Sequence, residues 1–108
     1  MFTLNDIKKE HRGLEKTFER TDVVKKIKEL FPDCYEIPKP IRPSSKGTPD
    51  RQFCINGRFI AIETKAKNGK PTPKQLERIY AIRKAGGIAL VAWAWDEVEK
   101  ELRDKGVL

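Results

Sequence analysis

The sequence predicts a mixed α/β fold in which a small sheet is flanked by helices. Two strand patterns, residues 52–55 and 58–65, are joined by Asn56-Gly57, a turn pair typical of β-hairpins. A helical pattern follows, and then a continuous apolar run at residues 88–93. Strand, helix and strand in this order favour a right-handed crossover and a parallel pair, whereas the hairpin is antiparallel. A sheet that contains both kinds of pair belongs to the mixed class.

The first half of the chain contributes one helix and one short strand before the hairpin. Residues 1–16 are weakly patterned, and we expect a short helix or an N-terminal arm there. Over residues 17–31 apolar positions recur at helical spacing, and Pro32 ends the helix. Residues 34–37 predict a short strand, and the proline-rich stretch 38–47 predicts an extended basic loop.

The second half begins with a helix whose start is marked by several signals. In Thr72-Pro73-Lys74-Gln75, threonine is a typical N-cap, proline suits the first helical position, and glutamine completes a capping box. Gly86-Gly87 marks the end of this helix. The apolar run that follows predicts a strand buried on both faces and central in the sheet. A last helix begins near Asp96, so we expect one domain over residues 1–108 with the order αβββαβα.

The excess of basic residues in the composition indicates which class of partner the protein could bind. The chain has 108 residues with 23 Lys and Arg against 16 Asp and Glu, a net charge of +7. Such a surplus on a small protein favours a polyanion such as nucleic acid, because bound phosphates release condensed counterions. The alternative is a generic solvated surface. No apolar run is long enough to span a membrane and the start lacks a signal-peptide pattern, so we expect a soluble cytoplasmic protein.

The sequence also suggests how the two cysteines and the two tryptophans are placed. Cys34 and Cys54 have no metal-binding spacing and lie among apolar or aromatic neighbours, so both are predicted to be buried, reduced thiols. Trp93, at the end of the last strand, is predicted to lie in the core. Trp95 could contact DNA or a second subunit, and packing at an exposed edge is the alternative.

The strand that ends in Glu63-Thr64-Lys65 carries charges where an apolar pattern would have none. Because side chains alternate along a strand, Glu63 and Lys65 share a face, and charges on a partly buried face are costly unless they are paired or bind a metal. The turn places Asp50 directly opposite Glu63, since each lies six residues from it. Carboxylates on neighbouring strands suit Mg²⁺ or Mn²⁺, and the backbone carbonyl of Thr64 could add a ligand.

Such a site would favour phosphodiester hydrolysis. The metal would activate a water, and Lys65 would hold that water or stabilise the charge of the pentacovalent phosphorus. The alternative from spacing alone is a structural pair between Glu63 and Lys65, with Asp50 as a turn residue after Pro49.

These residues resemble a known nuclease signature. Pro49-Asp50 followed by Glu63-Thr64-Lys65 is similar to the PD-(D/E)xK motif. Gly47-Thr48-Pro49-Asp50, together with residues 58–63, Gln75 and Gly86-Gly87-Ile88, resembles the VRR-NUC branch of that superfamily. The resemblance extends over residues 19–102.

The resemblance implies a restriction-endonuclease-like fold and a metal-dependent DNA endonuclease that uses Mg²⁺ or Mn²⁺. Small stand-alone VRR-NUC proteins are often of phage origin and are expected to act as homodimers on branched DNA such as Holliday junctions. A phage-encoded protein would work in the cytoplasm of its bacterial host. The other functions left open are a non-catalytic nucleic-acid-binding module and a sequence-specific restriction-type nuclease.

The resemblance also implies roles for individual residues. Asp50 and Glu63 would be metal ligands and Lys65 the catalytic lysine, with Gln75 as an additional catalytic residue on the following helix. An acid on the first helix would complete the metal site, either Glu19 or Glu15. Gln75 has its capping box as an alternative role, and Glu19 could be a solvated acid near a helix N-terminus.

Basic residues on the loops and helix start around these acids are predicted to follow the phosphates of DNA. They are Lys39, Arg42, Lys46, Arg51, Lys67, Lys70, Lys74 and Arg78.

Overall fold

The computed structural model describes residues 22–39 and 47–108. Their elements are, in chain order, α1 (Val23–Leu30), β1 (Tyr35–Ile37), β2 (Arg51–Ile55), β3 (Arg58–Thr64), α2 (Pro73–Lys84), β4 (Ile88–Ala92) and α3 (Trp95–Asp104). This order confirms the predicted αβββαβα arrangement. The expectations for residues 1–16 lie outside the described residues.

The four strands form one mixed sheet in the order β1-β2-β3-β4. Both pairs that involve β2 are antiparallel, and β3 pairs with β4 in parallel, as predicted. The prediction that the apolar strand β4 is central was wrong, because among the described strands it lies at an edge. Its residues Ile88, Ala89 and Leu90 are nevertheless buried, since helices cover both faces of the strand.

The helices cover the two faces of the sheet unequally. On the first face, α1 and α3 pack through Val23, Ile27, Val98 and Leu102 onto alternate residues of β2, β3 and β4. On the second face, a smaller cluster joins Ile79 of α2 to β3 and β4. Among the described helices, none packs over β1 and β2 on this second face, and that asymmetry leaves room for a site.

The turn predicted at Asn56-Gly57 and the capping box predicted at the start of α2 are both present in the structure. Asn56 and Gly57 both have positive φ, 51° and 80°, as a type I′ turn requires, and they fix the register of β2 against β3. The hydroxyl of Thr72 accepts from the backbone N–H of Gln75 at 3.1 Å, and the amide oxygen of Gln75 accepts from the N–H of Thr72 at 2.9 Å. The capping box is therefore confirmed.

Two of the predictions about single side chains, those for Trp93 and Cys54, were wrong. Trp93 is exposed, and its indole Nε1 donates to the carbonyl of Gly69 at 2.8 Å. Trp95 is partly buried and packs against the core, with the ammonium of Lys26 5.5 Å from its ring centre, and its contact with DNA or a second subunit stays a prediction. Cys54 is exposed because it points away from the main core, whereas Cys34 is partly buried, and both are free thiols.

The described parts of the chain contain no helix with the length and apolar character needed to span a bilayer.

Gly47 lies against the first turn of α2. Its φ is +84°, and a Cβ there would lie 2.7 Å from Cγ and 3.1 Å from the carbonyl oxygen of Lys74. Gly57 has a similar φ, +80°, but a Cβ there would have no atom within 4 Å. An alanine at Gly57 would therefore have only the cost of a left-handed backbone, whereas an alanine at Gly47 would add the cost of a steric clash.

We predict that Gly47→Ala destabilises the protein more than Gly57→Ala does. The second substitution should cost about 1 kcal/mol, because an alanine is forced into a left-handed conformation. The first should cost about 1 kcal/mol more, because the new methyl group overlaps Cγ of Lys74 and is tightly packed against the carbonyl group of the same residue. Urea denaturation of the two variants measures the difference, and equal losses would contradict the close packing of Gly47 on Lys74.

Candidate active site

The hairpin register brings the two predicted carboxylates together. Arg51 pairs with Ile62, and one further step of the same register places Asp50 opposite Glu63. Both side chains lie on the second face of the sheet, because Glu63 alternates with Ile62, whose side chain is in the core on the first face. The Asp50 carboxylate is close enough to Glu63 to act on its ionisation by a hydrogen bond and by charge.

Asp50 is held by two donors from Thr64. Its Oδ2 accepts from the backbone N–H of Thr64 at 3.1 Å and from the hydroxyl at 2.9 Å. Its Oδ1 lies 3.8 Å from Nζ of Lys39. A carboxylate fixed by two hydrogen bonds keeps one orientation, so the other oxygen is presented in a constant position.

Glu63 is buried and lacks a full set of partners. The residue is 2% exposed, and within the described residues its Oε1 has no hydrogen-bond partner. Its Oε2 lies 3.9 Å from Nζ of Lys65, a side chain that is itself largely buried. An oxygen that is shielded from water and unpaired is costly, and a bound cation would remove that cost.

The pKa of Glu63 is raised from 4.5 to about 8. Burial is the largest cause, followed by the hydrogen bond and the negative charge of Asp50. The positive charges of Lys65 and Lys39 act in the opposite direction. A strongly raised carboxyl pKa next to a second carboxylate is typical of functional sites.

The remaining predicted catalytic residue, Gln75, uses its amide oxygen in the capping box of α2. A catalytic contact would come from its amide NH₂ group or from the second lone pair of that oxygen, and its catalytic role stays a prediction. Glu19 and Glu15 lie outside the described residues. Within residues 22–39 and 47–108, no group of three or more acidic, histidine or cysteine side chains is placed to hold a metal ion.

The predicted DNA-binding residues fall into four sets, of which Arg51 alone forms the last. Lys67, Lys70, Lys74 and Arg78 are exposed on the turn after β3 and the first turns of α2. Lys39 lies beside Asp50, with its Nζ 3.8 Å from Oδ1 of that carboxylate. Arg42 and Lys46 lie outside the described residues.

Arg51 differs from these basic residues in its position. It alternates with Gln52 and so lies on the first face of the sheet, and its guanidinium is 3.4 Å from the carboxylate of Glu36. Its contact with DNA stays a prediction, but its side chain lies on the other face from the two carboxylates.

Sequence reasoning missed the part that Thr64 plays. The sequence suggested its carbonyl oxygen as a ligand, whereas the structure uses its N–H and hydroxyl to hold Asp50. A threonine between two charged residues at a strand end was the available signal, but it did not identify the partner. The contact between Trp93 and Gly69, which ties the turn after β3 to the end of β4, was also missed.

Comparison with known proteins agrees with this fold. No protein-family model matches the chain, and no curated protein matches it. A solved structure described as a VRR_NUC domain is similar, with a TM-score of 0.60 and 27% sequence identity. The match covers 79% of this chain and 95% of that one.

The chain therefore has a nuclease-type mixed α/β fold. Within that class its fold is VRR-NUC-like, as the motifs in the sequence predicted.

We predict that Glu63→Gln makes the metal-free protein less sensitive to pH. Because the folded state raises this carboxyl pKa, it binds the proton more tightly than the unfolded state does between about pH 4.5 and 8. Stability conferred by the protonated group is therefore present at low pH and is lost as pH rises, by at most about 1.4 kcal/mol per pH unit. Glutamine stays neutral and removes this loss.

The measurement is the free energy of unfolding of both proteins in EDTA from pH 4.5 to 9. The stability of the variant relative to the original chain should increase with pH up to about 8. Parallel pH profiles would contradict a raised pKa at this position.

Proposed function

We propose that this protein is a metal-dependent DNA endonuclease. The observation that carries the proposal is the pair of carboxylates formed by the buried Glu63 and the partly exposed Asp50, beside Lys65, at the end of a hairpin in a nuclease-type fold. A solved protein with a similar fold is described as a VRR_NUC domain, and the net charge of +7 suits a polyanionic substrate.

The carboxylate pair fits a hard divalent cation. Asp50 and Glu63 supply oxygen donors, which Mg²⁺ and Mn²⁺ prefer, and Oε1 of Glu63 is buried without a partner among the described residues. Mg²⁺ needs only one or two carboxylates when waters and substrate phosphates complete its coordination. The carbonyl of Thr64 and an acid that precedes α1 in the sequence, Glu19 or Glu15, are the further ligands we propose. When bound, the metal would lower the pKa of a water and neutralise phosphate charge.

The protein's own side chains would orient the reactants. Thr64 holds the carboxylate of Asp50 through two hydrogen bonds. Lys65, 3.9 Å from Glu63, would hold the attacking water or stabilise the negative charge that develops on the phosphoryl oxygens. The water oxygen would form a bond to phosphorus as the bond to the leaving oxygen breaks, without a covalent enzyme intermediate. Gln75 would assist from α2.

The exposed basic side chains would guide the DNA backbone to this site. Lys67 and Lys70 lie on the turn after β3, and Lys74 and Arg78 lie at the start of α2. Lys39 is beside Asp50, and Arg42 and Lys46 follow it closely in the sequence. A protein of 108 residues has little surface for reading base sequence, so we propose recognition of DNA shape, with branched DNA such as a four-way junction as substrate.

We predict that Asp50→Asn abolishes cleavage of four-way junctions in Mg²⁺ or Mn²⁺. Asparagine keeps an oxygen that can accept from Thr64 but removes the charge that binds the cation, so the rate should fall about 100-fold or more. Asp33→Asn is a matched control, because it removes one acidic charge from an exposed turn. The assay compares junctions, linear duplex and single strands, each with metal or with EDTA.

The results separate the three candidate functions. Cleavage that persists in Asp50→Asn or in EDTA would overturn the mechanism. Junction binding without cleavage by the original chain would identify a non-catalytic module. Cutting of linear duplex at one defined sequence would identify a restriction-type nuclease.

We also propose that the protein acts as a homodimer, since two sites related by a two-fold axis suit two symmetric cuts in a junction. The edge strand β4 supports this, because among the described strands it has a neighbour on one side only, and such an edge can pair with a second chain. Sedimentation at micromolar concentrations should give twice the mass of the 12.5 kDa chain. A single-chain mass over that range would contradict the dimer.

A further inference from the structure

A groove of about 470 Å³ lies on the second face of the sheet, between α2 and the strands β1 and β2. Ile37 and Gln52 line it from the sheet, and Ala81 and Ile82 line it from α2. Its volume is within the range of about 300–1,000 Å³ that small-molecule sites occupy. Like those sites, it combines mostly apolar walls with a few polar groups.

The groove adjoins the carboxylate pair. Pro49, which lines it, directly precedes Asp50, and Gln52 is the next residue of the chain on the same face as Asp50. Two residues along a strand span about 6.8 Å. A group bound in the groove would therefore lie close to a phosphate held at the carboxylates.

The side chains around the groove suit a flat heteroaromatic ring. Phe59 lines it and is 36% exposed, so part of its ring is available for stacking. Thr48 and Gln52 have donors and acceptors that suit the polar edge of a base, and the guanidinium of Arg78 suits a phosphate.

We propose that this groove binds one nucleobase of the substrate strand, next to the phosphate that is cut. The proposal rests on the proposed nuclease function. A base inside a duplex is stacked and paired, so it can enter a pocket only if it is extruded or already unpaired. Extrusion costs least where pairing or stacking is already weakened, so a branch that weakens either would let the groove contribute to the preference for branched DNA.

Ala81→Phe tests the proposal by filling the groove from an exposed helix position. Ala94→Phe is the matched control, because it makes the same change at an exposed alanine that does not line the groove. The substrates are four-way junctions in which each nucleotide near the cut is replaced, one at a time, by an abasic tetrahydrofuran. Melting temperatures establish that both variants are folded.

The original chain should cut about 10-fold more slowly when one particular base beside the cut is missing, the order expected for loss of one base–aromatic stack. Ala81→Phe should cut the intact junction about 10-fold more slowly, and removal of that base should then have no further effect. Ala94→Phe should behave as the original chain does. Indifference of the original chain to every missing base, or full base dependence in Ala81→Phe, would overturn the proposal.

A binding measurement tests the base site separately from the proposed nuclease activity. In EDTA, 2-aminopurine placed at each position near the branch should change its emission at one position with the original chain and at none with Ala81→Phe. If no DNA is cut but this difference is found, the catalytic proposal fails and the base site stands. If Ala81→Phe changes only the melting temperature or the mass in solution, the groove holds another part of this chain or a second copy, and the proposal is wrong.

Discussion

Two carboxylates held side by side, one of them buried, are the constraint on which the rest of the site depends. The type I′ turn at Asn56-Gly57 sets the register that makes Asp50 and Glu63 neighbours. Such a pair is unfavourable when both groups are charged, and the raised pKa of Glu63 shows how the protein without a bound cation relieves it. A fold that keeps this arrangement retains a local cost, which is expected where function and not stability determines the residues.

The unequal covering of the sheet makes that site accessible. On the first face, α1 and α3 bury the large aliphatic side chains and supply most of the core. On the second face, α2 packs on β3 and β4 through small residues such as Ala61 and Ala89. The same helix forms one wall of the groove and carries Lys74 and Arg78 at its start. One element thus closes the minor core, lines the groove and carries two basic side chains on its exposed surface.

Features with a short-range cause were predictable from the sequence, and those that depend on distant packing were not. The hairpin register follows from two turn residues, and the start of α2 follows from four residues around Thr72. The position of β4 at the edge could not be predicted from its apolar sequence. Helices above and below a sheet can bury the side chains of a strand at the edge as well as those of a central strand. The exposure of Trp93 and the packing of Trp95 against the core also depend on how distant elements pack, so the local sequence did not predict them. The partner of Thr64 was also unpredictable, since its donors reach across to another strand.

The distances around the two carboxylates distinguish fixed contacts from replaceable ones. The hydrogen bonds from Thr64 to Asp50, at 2.9 and 3.1 Å, have normal geometry and fix one oxygen. The lysine contacts are longer, 3.8 Å from Lys39 to Asp50 and 3.9 Å from Lys65 to Glu63, so they are charge pairs without a hydrogen bond. A cation or a phosphate could therefore exchange with these lysines without breaking the contacts that position the carboxylates. Because the anchoring and the charge compensation come from different residues, the site can change its ligands while its geometry is kept.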